Sequence, residues 1–196
     1  MSSEDIDIER RRFLVTATTV MGGVGLAATA IPFIASWLPS AKAEAAGAPI
    51  EVDISELQPG QQIIVQWRGK PIWVIHRTQE MLNSLSADTQ SLRDPNSLTD
   101  QQPAYTHNLY RSIRPEILVL IGICTHLGCS PTYRPTPGEI GPNWQGGFLC
   151  PCHGSLYDLA GRVFKDVPAP LNLEVPPYTF INEHTLLIGV DYSKTG

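Results

Sequence analysis

The sequence predicts a mostly β protein: a layered antiparallel β-sandwich head preceded by a single N-terminal transmembrane helix. Three observations predict it. Charged residues make up 17% of the chain, below the roughly 25% of an average soluble domain, so part of the chain is expected outside water. The deficit is concentrated in residues 13–38, "FLVTATTVMGGVGLAATAIPFIASWL", which hold no ionisable group. From residue 50 onward the apolar residues fall into short runs of β-formers separated by Pro, Gly and Asn, which is the pattern of strands.

Residues 1–12 read as a polar tail, and the arginines at 10, 11 and 12 stand at its end. As a helix, residues 13–38 span about 39 Å at 1.5 Å per residue, enough to cross a hydrocarbon core of about 30 Å. Pro32 is placed to kink the helix or mark its exit, and Trp37 sits where an interfacial aromatic belongs. Positive charge on the N-terminal side predicts a cytoplasmic N-terminus and a head on the far side of a bacterial inner membrane, in the periplasm. "RRRFLV" also has the form of a twin-arginine export signal. The competing reading is a cleaved signal peptide, with "AKA" at 41–43 as the cleavage site. Against it, the apolar run is longer than the usual 7–15 residues of a signal core.

Residues 39–49, "PSAKAEAAGAP", form a small-residue linker, read as a flexible tether that reaches about 37 Å extended or about 16 Å as a helix. The head follows over 50–196. "IEVDI", "QQIIVQW" and "PIWVIHR" predict strands, residues 79–87 a short helix, and 88–115 a polar, proline-bearing loop on the surface. "ILVLIGI" at 117–123 predicts a buried strand, and "GGFLC" and "SLYDLAG" flank a hairpin. "LEVPPYTFI" and "TLLIGV" predict two closing strands. The net charge of -5 offers no basic face for phosphates, so no nucleic-acid partner is expected.

All four cysteines and two of the five histidines lie in "CTHLGC" at 124–129 and "CPCHGS" at 150–155. Cys124, His126, Cys150 and His153 together offer two thiolates and two imidazoles. Zinc takes such a set tetrahedrally. A 2Fe-2S cluster takes it with both cysteines on one iron and both histidines on the other. Cys129 and Cys152 can form a disulfide in an oxidising compartment. Alternatively all four cysteines bind metal, leaving the histidines incidental. His76, His107 and His184 carry no ligand spacing and read as strand or loop residues.

The two boxes resemble those of the Rieske iron-sulfur subunits of cytochrome bc complexes, and the resemblance extends over the anchor, the linker and "WRGKPIWVIHRT" at 67–78. It implies one Rieske-type 2Fe-2S cluster in a cluster-binding subdomain at about 117–172. Cys124 and Cys150 would bind the inner iron and His126 and His153 the outer one, with Cys129 and Cys152 as a disulfide. Ser155 and Tyr157 match positions whose hydroxyls hydrogen-bond cluster sulfur and a ligand thiolate. Leu127 and Gly128 would meet a quinone pocket, and "VPAPLNL", with Pro168 and Pro170, would cover the cluster. Val167 stands where glycine is usual, so a positive-φ turn at that position is not expected. The implied function is electron transfer from quinol, at cytochrome b, to a cytochrome c-type haem, with His153 and His126 receiving the quinol hydrogen bond and proton. The subunit would be incomplete alone. Two other readings are an exported Rieske subunit of a periplasmic oxidase resembling arsenite oxidase, and a zinc-stabilised binding module.

Overall fold

A computed structural model describes residues 7–87 and 89–191, without the side chains of residues 42, 44 and 46. The start of the N-terminal tail and the last five residues of the head lie outside the described residues. The chain divides near residue 45 into two units.

The first unit is dominated by helix α1 (Ile8–Ala35). It begins five residues before the uncharged run because Asp7 caps it, accepting from the Glu9 and Arg10 amides at 3.2 and 3.1 Å. The three arginines therefore sit on its first turns. Pro32 does not break the helix, which ends one turn later, where the Ser36 amide reaches the Pro32 carbonyl at 2.9 Å. The hydroxyls of Thr19, Thr29 and Ser36 donate back to the carbonyls of Val15, Gly25 and Phe33, which satisfies them without water. Among the described residues α1 is the one helix long and apolar enough to cross a membrane. The linker differs from an extended tether: helix α2 (Ala41–Gly47) occupies seven of its eleven positions, with the Ser40 hydroxyl accepting from the Ala43 amide.

The head is built of three three-stranded antiparallel sheets. Strands β1 (Ile50–Asp53), β8 (Tyr178–Phe180) and β9 (Thr185–Ile188) form one, in the order β1-β9-β8. Strands β2 (Gln62–Trp67), β3 (Lys70–His76) and β4 (Ile117–Ile121) form the second, in chain order. Strands β5 (Thr132–Arg134), β6 (Gly147–Leu149) and β7 (Leu156–Tyr157) form the third. Among the described residues the longer helix of the head is α3 (Gln79–Ser84), capped by Thr78.

Strand β4 is buried along its whole length, as its unbroken apolar run requires. Trp73, opposite Leu120 in the β3–β4 register, stacks on Phe148 of β6 with ring centroids 5.0 Å apart. That contact joins the second sheet to the third, and one continuous core runs from Ile72 to Phe148, Cys124 and Cys150. The predicted strand at 173–181 shrinks to β8, because Pro176 and Pro177 have no amide to donate.

The segment expected as a surface loop at 88–115 is described over 89–115, where it is a surface strap with inward anchors: many of its residues are exposed, but Leu92 bridges to Phe164, and Ser97, Gln102, Thr106, Arg111 and Ser112 are buried. Its polar residues are inside because they bond to main-chain carbonyls there. The Arg111 guanidinium donates to Ala160 and Leu173 carbonyls at 3.0 and 2.7 Å, and Gln102 donates to the Ser97 carbonyl at 2.7 Å.

Gly122 links β4 to the first cysteine box, and a Cβ there would lie 2.2 Å from the Trp73 ring. Gly122→Ala is therefore expected to cost about 1–3 kcal/mol through overpacking, read as a lower midpoint in chemical denaturation. An unchanged midpoint would show that Trp73 is free to move.

Candidate metal centre

The two cysteine boxes fold as two equivalent six-residue loops. In the first, the Cys124 amide donates to the Cys129 carbonyl at 2.7 Å and the Gly128 amide returns to the Cys124 carbonyl at 3.0 Å. In the second, the Cys150 amide donates to the Ser155 carbonyl at 2.8 Å and the Gly154 amide returns to the Cys150 carbonyl at 2.9 Å. Each loop places glycine in the left-handed region at the same position, with φ of 81° at Gly128 and 73° at Gly154. A side chain at either would meet nothing within 4 Å, so backbone conformation, not space, demands glycine.

The first residue of each loop points into the core. Cys124 and Cys150 are 2% and 1% exposed, both are free thiols, and they lie in the same core cluster. Burial pushes the Cys150 thiol up, the Cys124 contact adds to this, and the amides of Cys152 and His153 oppose it. Such thiols become thiolates where a cation compensates their burial.

His126 and His153 stand further out, half-buried and exposed respectively. Their rings meet edge to face with centroids 4.8 Å apart. His126 Nδ1 is buried without a hydrogen-bond partner. A metal would satisfy this buried ring nitrogen, and the two sulfurs and two nitrogens that the loops offer suit either zinc or a mixed-ligand 2Fe-2S cluster.

Cys129 and Cys152 are joined in a disulfide that bridges the two loops, with Cα atoms 6.6 Å apart. Although their sulfurs lie within 4.8 Å of the Cys150 sulfur, bonded sulfurs cannot serve as thiolates. The four-thiolate alternative is therefore excluded by the bond itself. Leu127 projects from the tip, 71% exposed, beside exposed Gly128.

Two hydroxyls lie behind the loops. Tyr157, fully buried on β7, places its Oη 3.2 Å from Cys124 Sγ and accepts from the Thr125 amide at 3.2 Å. Burial, and then the Cys124 contact, hold its pKa well above the ordinary phenol value, so it remains a proton donor. Ser155 Oγ, also buried, accepts from the Ala169 amide at 3.0 Å; its own proton is then free to point toward the loops. The segment 167–173 carries exposed Pro168 and Pro170 on either side of buried Ala169. The positive φ of this turn falls one residue early, at Asp166 (59°). Aspartate tolerates that region better than a β-branched valine does, which explains how valine is accommodated.

Thr125 was not legible as a site residue. Its hydroxyl donates to the Leu171 carbonyl at 2.7 Å, tying the first loop to the covering segment. It sits between two stronger chemical signals, and a threonine there has no distinguishing pattern.

Residues 50–178 match the family model described as "Rieske [2Fe-2S] domain". The chain is a member of the Rieske iron-sulfur family. Residues 1–40 match a second model, "Ubiquitinol-cytochrome C reductase Fe-S subunit TAT signal". The chain is 58% identical to the ubiquinol-cytochrome c reductase iron-sulfur subunit of Allochromatium vinosum, over 97% of this chain and 93% of the relative. The subunit of the same name from Rhodospirillum rubrum is 47% identical over 92% of this chain and 91% of its own length. Among solved structures, a chain of the hyperthermophilic respiratory Complex III aligns over 88% of this chain and 98% of its own, at 26% identity and TM-score 0.48. Within the family the chain groups with the Rieske subunits of the cytochrome bc1 complex, and the cofactor of that family is one 2Fe-2S cluster. The apolar helix α1 and the export-signal match fit a membrane-anchored subunit.

Closing a loop of 23 residues removes unfolded-state entropy worth about 3 kcal/mol in the chain-entropy model. The double variant Cys129→Ser/Cys152→Ser is expected to lose stability of that order in denaturant unfolding. A loss below about 1 kcal/mol would mean that the loops hold each other without the bridge.

Proposed function

We propose that this chain is the electron-transfer subunit of a quinol–cytochrome c reductase, acting between quinol at a cytochrome b partner and a cytochrome c-type haem. The observation that carries this reading is the asymmetry of the donor set: thiols in the core, imidazoles toward solvent. In this reading Cys124 and Cys150 hold the inner iron and His126 and His153 the outer one. Bound there, the cluster supplies one-electron redox chemistry at high potential, in the range of roughly −150 to +300 mV, because neutral imidazoles replace two anionic thiolates.

The chain's own residues do the rest. His126 commits its inward Nδ1 to metal, which leaves Nε2 to exchange a proton. His153, the more exposed of the two, presents its uncommitted ring nitrogen to a quinol hydroxyl, accepting the hydrogen bond and then the proton. Leu127 and Gly128 form the apolar contact with the quinone pocket. Tyr157 and Ser155 direct O–H donors at sulfur, which favours the more negative, reduced state. Pro168 and Pro170 stiffen the covering segment.

The division of the chain follows: tail 1–12, membrane anchor 13–38, tether 39–49, head 50–196 with its cluster-binding part at about 117–172. The N-terminus lies in the cytoplasm and the head in the periplasm of a bacterial inner membrane. Helix α2 suits a tether of changing reach, because seven helical residues span about 10 Å and the same seven extended span about 24 Å.

Redox titration of the purified chain, followed by EPR across a pH series, tests the reading. A ring N–H bound to an oxidised metal is more acidic than one bound to the reduced metal. The midpoint is therefore expected to be flat at mildly acidic pH and to fall as the solution becomes alkaline. A colourless, EPR-silent protein with stoichiometric zinc, or a midpoint that ignores pH, contradicts it.

A further inference from the structure

Arg111 lies in the strap between α3 and β4 and is completely buried, at 0% exposure. Two independent costs are concentrated on it. Its backbone has φ of 50°, in the left-handed region where a non-glycine residue is strained. Its guanidinium is charged in the interior, and burial brings its pKa down only to about 10, so the charge persists at neutral pH. No carboxylate is among its hydrogen-bond partners. Such a residue persists only where its surroundings over-determine it.

Those surroundings are the frame of the metal centre. Nη1 donates to the Ala160 carbonyl at 3.0 Å and more weakly to that of Gly161 at 3.4 Å. Nη2 donates to the Leu173 carbonyl at 2.7 Å. Nη2 and Nε also meet Gln102 Oε1, at 2.7 and 3.2 Å. Ala160 and Gly161 belong to the turn that begins one residue after Tyr157; Leu173 ends the covering segment. The Leu173 amide in turn donates to the Gly161 carbonyl at 2.8 Å. One planar fork thus fastens three separate segments. Arg77, just past the end of β3, reinforces the same turn by donating to the Leu159 carbonyl at 3.1 Å, so three consecutive carbonyls, Leu159 to Gly161, face guanidinium groups.

We propose that Arg111 is a positioning residue of the metal centre: it locks the covering segment to the turn behind Tyr157, and so holds the Tyr157 and Ser155 hydroxyls in the geometry in which they donate to sulfur. The link to Tyr157 is direct through the main chain of β7. The link to Ser155 runs through the Ala169 amide of the covering segment. This inference rests on the cluster reading of the site given above.

The test uses the full chain purified with its cluster from the membrane, comparing wild type with Arg111→Met, Arg111→Lys and Gln102→Leu. Methionine removes charge and fork, lysine keeps the charge without the fork, and leucine at 102 removes one anchor and leaves the arginine in place. A core truncation in the same strap, Leu92→Ala, controls for general loosening. The midpoint potential at neutral pH is expected to drop for Arg111→Met by a factor of about ten in electron affinity, equivalent to ~59 mV for one electron. Arg111→Lys and Gln102→Leu should each give a smaller drop in the same direction, and Leu92→Ala none. If Arg111→Met does not accumulate, Arg111→Lys and Gln102→Leu decide by the same readout. Variants that keep the wild-type midpoint and EPR signal, or that shift no further than Leu92→Ala, overturn the proposal and leave the cluster reading intact. A wild-type chain without the mixed-ligand EPR signal overturns that reading and the proposal with it.

Discussion

Two thiols must lie side by side in a hydrophobic core while two imidazoles, two and three residues further along their loops, reach the surface. The backbone closures within each loop meet this demand, and the head is arranged around them. The first cysteine of each loop is bonded at its amide and its carbonyl, which turns its side chain inward. A left-handed glycine then reverses the chain, and the histidine emerges between these two fixed points. The disulfide adds a covalent link between the loops on the outer side. On the inner side, Cys124 and Cys150 belong to the same core cluster as Trp73 and Phe148. The packing of the second sheet on the third therefore sets how the two loops face each other.

The interior behind this site is unusually polar. Arg77, Arg111 and Arg162 are all buried, and among the described residues only Arg162 of the three forms an ion pair, with Asp158 at 2.7 Å. Arg77 is satisfied by the Pro115 and Leu159 carbonyls and the Ser112 hydroxyl. Burying a charge is costly unless hydrogen bonds compensate, and these do so largely with main-chain carbonyls of irregular segments. That choice has a structural logic. The turn at 158–161 and the covering segment lack a sheet ladder of their own, so their carbonyls need donors from elsewhere. Arg77 and Arg111 supply them, while Arg162 ties the Asp158 carboxylate to the Leu85 and Pro95 carbonyls; together they fix the loops that a metal centre needs rigid.

The sequence announced the site more clearly than the fold around it. Cysteine and histidine at close spacing are rare enough to read directly, and the strands with unbroken β-forming runs, β3 and β4, were equally legible. Strand β5 was not: Thr132–Arg134 is three residues long and flanked by Pro131 and Pro135, so it carries only the signature of a loop. It is an edge strand, where such prolines are tolerated. The strap's inward anchors were missed for a related reason. Its arginine, glutamine and serines look solvent-seeking one at a time, and only the tertiary structure brings Arg111 to carbonyls more than forty residues away and Ser112 to the Arg77 guanidinium. Asp7 extended α1 beyond its apolar run because a cap is a local hydrogen bond, invisible to hydropathy. Thr125 offered no pattern at all, and its part in joining the first loop to the covering segment is a matter of three-dimensional placement alone.

The central claim is that the two irons of the cluster differ in their ligands, sulfur from Cys124 and Cys150 on the inner one and nitrogen from His126 and His153 on the outer one. Mössbauer spectroscopy of the iron-57-enriched, dithionite-reduced chain measures this difference directly. The account predicts two inequivalent irons in equal amounts: a ferric site with the small isomer shift of sulfur ligation, and a ferrous site whose larger shift marks nitrogen ligands. Two irons with matching sulfur-type parameters, or no iron at all, would contradict it.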